Sequence, residues 1–235
     1  MTSAQVLFKR VYVYELPVRV FHIINGLCIT TLGITGYLMG NPMSFGTAQE
    51  ASFQYWFGTL RFLHFVTAYV FVINMVARIY WGFVGNRYAG WREFISTSKA
   101  SLREIVEVLK LDILLTKLEG SVQVGHNRLA GTIYFLTFWV ALFQAVTGFA
   151  LYAPMSQTFL GRCLGWVVPL MGGDQNVRQW HHAMLWFFVL FVMVHVYLVF
   201  YHDYVEGRGT TSSMVGGWKF VRVKPIDEPV APDEP

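Results

Sequence analysis

The chain has 235 residues, 54% of them hydrophobic and only 14% charged, with a formal net charge of +4. A soluble domain carries about 25% charged residues, so this chain has too little charge to cover a water-facing surface. Its 8 Trp, 12 Tyr and 20 Phe exclude disorder and its 2 Cys exclude a disulfide scaffold, leaving an integral membrane protein of few spans.

The opening residues lack the basic region, short apolar core and small-residue cleavage site of a signal peptide, so no cleaved leader is expected. Crossing a membrane takes about 20 mainly apolar residues, so charge-free stretches locate the spans. They run over 20–49, 62–77 (resuming at 79–85 after Arg78), 129–161 and 179–202. They predict helices over 17–39, 59–83, 129–152 and 180–202, bounded by the interfacial aromatics Tyr37, Trp56, Tyr80, Trp81, Tyr152, Trp180 and Tyr201. Arg78 is expected to snorkel to the nearer interface. In the loop between the second and third spans, Ser101–Glu104 reads as a capping box, and Leu102, Ile105, Val106, Leu109 and Ile113 follow at helical spacing. This predicts an amphipathic helix, either lying on the inner leaflet or packed on the bundle. Residues 225–235 are rich in Pro and acid and read as a disordered tail, leaving 1–224 as a single membrane domain.

All Lys and Arg except Arg61, Arg162 and Arg178 fall on the side of the termini and the 84–128 loop. The positive-inside rule therefore predicts an all-α, four-transmembrane-helix bundle with both termini cytoplasmic. Because the basic residues follow membrane sidedness, the partners they imply are lipids and not nucleic acid.

Thr35-Gly36 ends the first helix and Thr147-Gly148 ends the third, a weak internal echo. Glycine there admits another body close to the backbone, although small-residue helix packing leaves the same mark.

Seven histidines fall at 22, 64, 126, 181, 182, 195 and 202. An ionisable or ligating residue inside a span is a functional candidate, although a lone one can be a satisfied core residue. His181 and His195 are separated by 14 residues, which places them within about 40° on one helix face and about 21 Å apart along it. His182 falls about 140° away from His195 and does not share that face. By depth, His22 pairs with His195 near the inner surface and His64 with His181 near the outer surface. Paired imidazoles across a bundle suit the axial ligation of haem iron, so two bis-His haems are expected. No Cys-x-x-Cys-His occurs, which makes them non-covalent haem b. Structural zinc gathers four ligands in one place, and these four are split between two depths.

Arg19 and Arg61 each lie one turn from a proposed ligand and are candidates for the haem propionates, with topology as their plainer role. Gly36 and Gly148 fall at the depth of the outer haem, where a porphyrin face could approach. His202, His126 and Asn127 form a polar cluster at the inner boundary and are candidates for a quinone site, an ordinary interfacial role being the alternative. Cys28 and Cys163 have no partner motif.

The motifs Tyr14–His22 (YELPVRVFH), Leu60–Phe65 (LRFLHF), Arg78–Trp81 (RIYW), Gly85–Tyr88 (GNRY), Gly125–Asn127 (GHN), Thr147–Tyr152 (TGFALY), Trp180–His182 (WHH) and His195–Tyr197 (HVY) are spread over most of the chain. Together they resemble the b-type cytochrome subunit of membrane-bound nickel–iron uptake hydrogenases. The family usually has tryptophans beside its first histidine, where this chain has Phe21 and Ile23, and a Leu-Gly-Met run where this chain has Ala183-Met184-Leu185. The resemblance implies haem ligation by His22, His64, His181 and His195. It also implies a hydrogenase small subunit with a C-terminal anchor helix, a large nickel–iron subunit outside, and residence in a bacterial inner membrane. By looser analogy with formate dehydrogenase membrane subunits, it implies a menaquinone or ubiquinone site near the inner haem. The expected role is electron transfer from the partner's iron–sulfur clusters to the quinone pool. A cytochrome subunit of a formate dehydrogenase or sulfur-compound reductase, a free-standing di-haem quinone oxidoreductase, and a haem-free anchor or small transporter are the alternatives.

Overall fold

Each charge-free stretch forms one long helix, because in hydrocarbon every backbone amide must be paired within its own segment. The structure is a computed structural model that describes residues 7–42, 55–91, 128–156, 158–207 and 209–223. The helices are α1 (Leu16–Gly40), α2 (Trp56–Val84), α3 (Arg128–Tyr152) and α6 (Asp174–Glu206), joined by shorter pieces. All four are long and apolar enough to cross a membrane. The amphipathic helix predicted near 101–113 and the tail at 225–235 lie outside the described residues.

Pro17 stands in the first turn of α1, where its missing N–H costs nothing. The helix α6 begins at Asp174, not at 180, and runs past 202 to Glu206. Its 33 residues span about 50 Å against a hydrocarbon core of about 30 Å, so both ends project from the apolar layer. The exposed ion pair between Arg178 and Asp174 (2.6 Å) lies on the projecting N-terminal turn. Gly173 (φ 113°) and Gly207 (φ 61°) bracket the helix in conformations that side chains resist.

Helix α1 packs against α2 and α6, and α3 packs against α6. The circuit closes where α2 meets α3, through Phe65 on Tyr152 (4.5 Å between ring centres) and Tyr69 on Phe149 (4.9 Å). Cys28, Phe71, Met75, Ala141 and Phe188 meet at mid-depth as the buried core. Leu27, Ile34, Phe62, Ile73, Leu190 and Met193 point outward, as a lipid-facing surface requires. Two short helices, α4 (Phe159–Leu164) and α5 (Val167–Leu170), cap the end of the bundle between α3 and α6.

The other end carries a feature absent from the sequence reading. Strand β1 (Leu7–Tyr12) pairs antiparallel with β2 (Trp218–Val223), after a short α7 (Thr210–Gly216). Tyr12 stacks at a tilt on Trp218 (4.9 Å), and the Arg10 guanidinium lies over the same indole (4.2 Å). This pairing puts the two terminal segments on one side of the bundle.

Below it, Val13 and Tyr14 donate their amides to the Gly217 carbonyl, and burial pushes the Tyr14 hydroxyl up to about 12. Glu15 accepts hydrogen bonds from the Trp81 indole (3.0 Å) and the Asn86 amide (2.9 Å). Asn86 in turn donates to Val13 and accepts from Tyr88 and Ala89. Arg78 does not snorkel to water. It is 6% exposed, donates to the Ala89 carbonyl (3.0 Å) and lies beside the rings of Trp91 and Tyr134. The Gly-Asn-Arg-Tyr turn thus closes over α2 and ties it to the start of α1.

Candidate functional site: two histidine pairs

On α6, His181, Leu185, Phe188, Val192 and His195 recur at steps of three and four, which is the spacing of one helix face. Leu185 and Phe188 are buried, so this face points into the bundle and carries both histidines with it. His22 stands in the second turn of α1, and the rings of His22 and His195 face each other with centres 6.1 Å apart and planes at 50°. Phe191 stacks on His195 (5.5 Å, 19°), and Phe187 continues the stack (6.4 Å, 4°). Asn74, on α2, sets the depth of α1 around His22. It donates to the Phe21 carbonyl (3.1 Å) and to the Asn25 amide oxygen (2.7 Å). We call His22 and His195 the near pair, since they lie at the end that bears the strands.

The far pair is His64 of α2 and His181 of α6, whose rings lie against Gly36 and Gly148. Each ring is held from the neighbouring helix. Thr35 Oγ1 of α1 lies 2.8 Å from His64 Nδ1, and Thr147 Oγ1 of α3 lies 2.9 Å from His181 Nδ1. The adjoining glycines explain the Thr-Gly echo. A Cβ at Gly36 would sit 3.4 Å from His64 Cε1, and one at Gly148 would sit 3.1 Å from His181 Cε1. An imidazole edge therefore lies against each of these glycines. His182 faces elsewhere, over Gly40.

Arg19 donates to the Val215 carbonyl at the end of α7, while its Nε is buried without a hydrogen-bond partner among the described residues. Arg61 donates to the Met155 sulfur (2.8 Å), a weak acceptor for a guanidinium, and lies near the Phe65 ring. His202 lies on α6 at the near end, edge-on to Tyr201 (5.6 Å), and Asp203 beside it accepts from the Thr210 amide. His126 and Asn127 lie outside the described residues. Sequence reasoning missed Thr35, Thr147, Asn25 and Asn74. The Thr-Gly echo was the signal for the first two, and its hydroxyls carry more of the meaning than its glycines.

The residues present fit haem. An imidazole nitrogen binds a metal at about 2 Å, so ring centres 6.1 Å apart suit two imidazoles sharing one iron. The orphaned Nε of Arg19, one turn from His22, is a donor suited to a carboxylate.

The fold and site define a four-helix membrane protein that presents histidine pairs at two depths. The chain belongs to the prokaryotic cytochrome b561 family, whose model matches residues 13–217. It is 40% identical over 217 residues to a probable Ni/Fe-hydrogenase B-type cytochrome subunit of Cupriavidus necator, covering 90% of this chain and 87% of that protein. A protein of the same description from Azotobacter vinelandii is 41% identical over 218 residues, covering 90% of this chain and 89% of the relative. A probable Ni/Fe-hydrogenase 1 B-type cytochrome subunit of Escherichia coli is 33% identical over 215 residues, covering 88% of this chain and 90% of the relative.

Proposed function

We propose that the protein is the di-haem cytochrome b subunit of a membrane-bound nickel–iron hydrogenase, anchoring that enzyme and passing its electrons to the quinone pool. The observation that carries this reading is the facing of His22 and His195 across one bundle, with ring centres 6.1 Å apart. The relatives, described as probable Ni/Fe-hydrogenase cytochrome subunits, support the choice of partner.

In this reading His22, His195, His64 and His181 would hold two haem b groups through their imidazole nitrogens. Haem b, when bound, supplies reversible one-electron chemistry. The protein's own work is positioning. The α6 face fixes the spacing of the two sites, the surrounding helices exclude water, and Arg19 and Arg61 neutralise propionate charge at opposite ends. The near end is cytoplasmic, as the basic residues require, and the far end with α4 and α5 meets the anchor helix of the hydrogenase small subunit from the periplasm of a bacterial inner membrane. His202 is the residue that would hydrogen-bond and protonate menaquinone or ubiquinone at the near end, with His126 and Asn127 as further hydrogen-bonding candidates.

Changing His195 to Ala tests this. The purified complex should lose one of two b-type haems in a reduced-minus-oxidised spectrum and lose hydrogen-driven quinone reduction. Hydrogen oxidation with an artificial acceptor should persist. Retention of both haems, or undiminished quinone reduction, would overturn the assignment.

A further inference from the structure

The two threonines of the Thr-Gly pairs do more than fill space. Thr35 Oγ1 lies 2.7 Å from the Thr31 carbonyl oxygen, and Thr147 Oγ1 lies 2.8 Å from the Phe143 carbonyl oxygen. Two oxygens approach this closely only when a proton lies between them, and a carbonyl has none to give. Each threonine proton is therefore committed to its own helix. The same Oγ1 also meets a histidine Nδ1, at 2.8 Å for His64 and 2.9 Å for His181. A hydroxyl whose proton is already used can only accept there, so Nδ1 carries the hydrogen in both rings.

Neutral imidazole has one N–H. With Nδ1 protonated, the lone pair available to a metal is on Nε2. Both threonines are buried, at 3% and 0% exposure, so water does not compete for the contact. We propose that Thr35 and Thr147 are positioning residues that fix the tautomer and rotation of His64 and His181 and tune the group these rings hold. This rests on the ligation reading above. A ligand imidazole that donates its second N–H is held in orientation and made more basic, and a more basic ligand favours ferric over ferrous iron. The two threonines therefore lower the potential of the far haem. The near pair has a different second partner, the Phe191 ring against His195, so the two sites are tuned by different means.

The test is a redox titration of the purified holo-complex, followed in the b-type α-band, for Thr35→Val, Thr147→Val, Thr35→Ser and Thr147→Ser. Valine keeps the shape and removes the acceptor, whereas serine keeps the oxygen. Each valine variant should raise the midpoint potential of the far haem, leave the near haem unmoved, and retain the far haem about 10–100-fold less tightly. Each serine variant should behave as the parent. Far-haem potential and retention unchanged in both valine variants would overturn the inference, and so would serine variants that move as far as valine. Loss of the far haem in a valine variant supports the inference when the serine counterpart keeps it, and counts against it when the serine counterpart loses it too. His64→Ala separates the two readings. If it removes one haem while the valine variants titrate as the parent, the ligation reading stands and the role of the threonines fails. If it removes none, the ligation reading fails and takes the inference with it.

Discussion

Asn74 and Arg78 lie one turn apart on α2, and both are buried within a span (5% and 6% exposed). Hydrocarbon offers no water to either group, so each is paired inside the protein. Asn74 links two helices by neutral hydrogen bonds, which average about 0.6 kcal/mol in membranes. Arg78 makes a charged bond to Ala89 between two aromatic faces, and leaving such a carbonyl unpaired costs about 1–3 kcal/mol. Arg78→Met should therefore lower the thermal midpoint of the detergent-solubilised protein more than Asn74→Leu does, despite keeping the side-chain volume. Arg78→Lys should not restore it, because a lysine point charge does not match the flat guanidinium site. The histidines were legible in the sequence because a helix repeats by a fixed angle, so residue spacing alone puts His181 with His195 and sets His182 apart. Thr35 and Thr147 were not, because a hydroxyl inside a helix is ordinarily satisfied by its own carbonyl. Only geometry across helices shows that its second valence is used.

At the scale of elements, the spans were legible and their ends were not. Hydropathy reports where lipid begins, whereas α6 continues through Asp174 and Arg178 into water on backbone bonding and an ion pair. The terminal strands left no periodic signal, since Leu7–Tyr12 and Trp218–Val223 are short and far apart in sequence. What ties the end of β1 and the start of α1 to α2 is Glu15, whose one carboxylate oxygen takes both the Trp81 and Asn86 donors. Glu15→Ala should destabilise the protein by about 1.5–3 kcal/mol, as expected for a hydrogen bond to a charged group. Glu15→Gln, which keeps an acceptor, should recover much of that loss. Thermal unfolding monitored by circular dichroism would rank the two. A further consequence follows from Tyr14. Its folded pKa lies near 12 against an ordinary value of 10.0, so the contribution of Tyr14 to stability is level below pH 10 and falls as pH rises toward 12. Tyr14→Phe should flatten part of that alkaline decline in the same measurement.

At the scale of the molecule, both terminal segments sit at one end, with the chain's exposed Cys163 at the other, while Cys28 is buried in the core. The two thiols make the orientation measurable without engineering. A membrane-impermeant maleimide added to spheroplasts carrying the subunit without its partner should label Cys163, and the label should vanish in Cys163→Ser. Labelling of Cys163 only in inverted vesicles would reverse the proposed sidedness.

The pairing of β1 with β2 also bears on how the chain is assembled. The first strand leaves the ribosome early, yet its partner is made only after all four helices. Until then β1 exposes an unpaired edge, and the start of α1, with His22 in its second turn, lacks its final brace. Closing a loop of this length costs entropy that local helix contacts do not, so it falls late in folding. The terminal clasp, and with it the final bracing of His22 in the second turn of α1, should therefore form only after the four helices have packed.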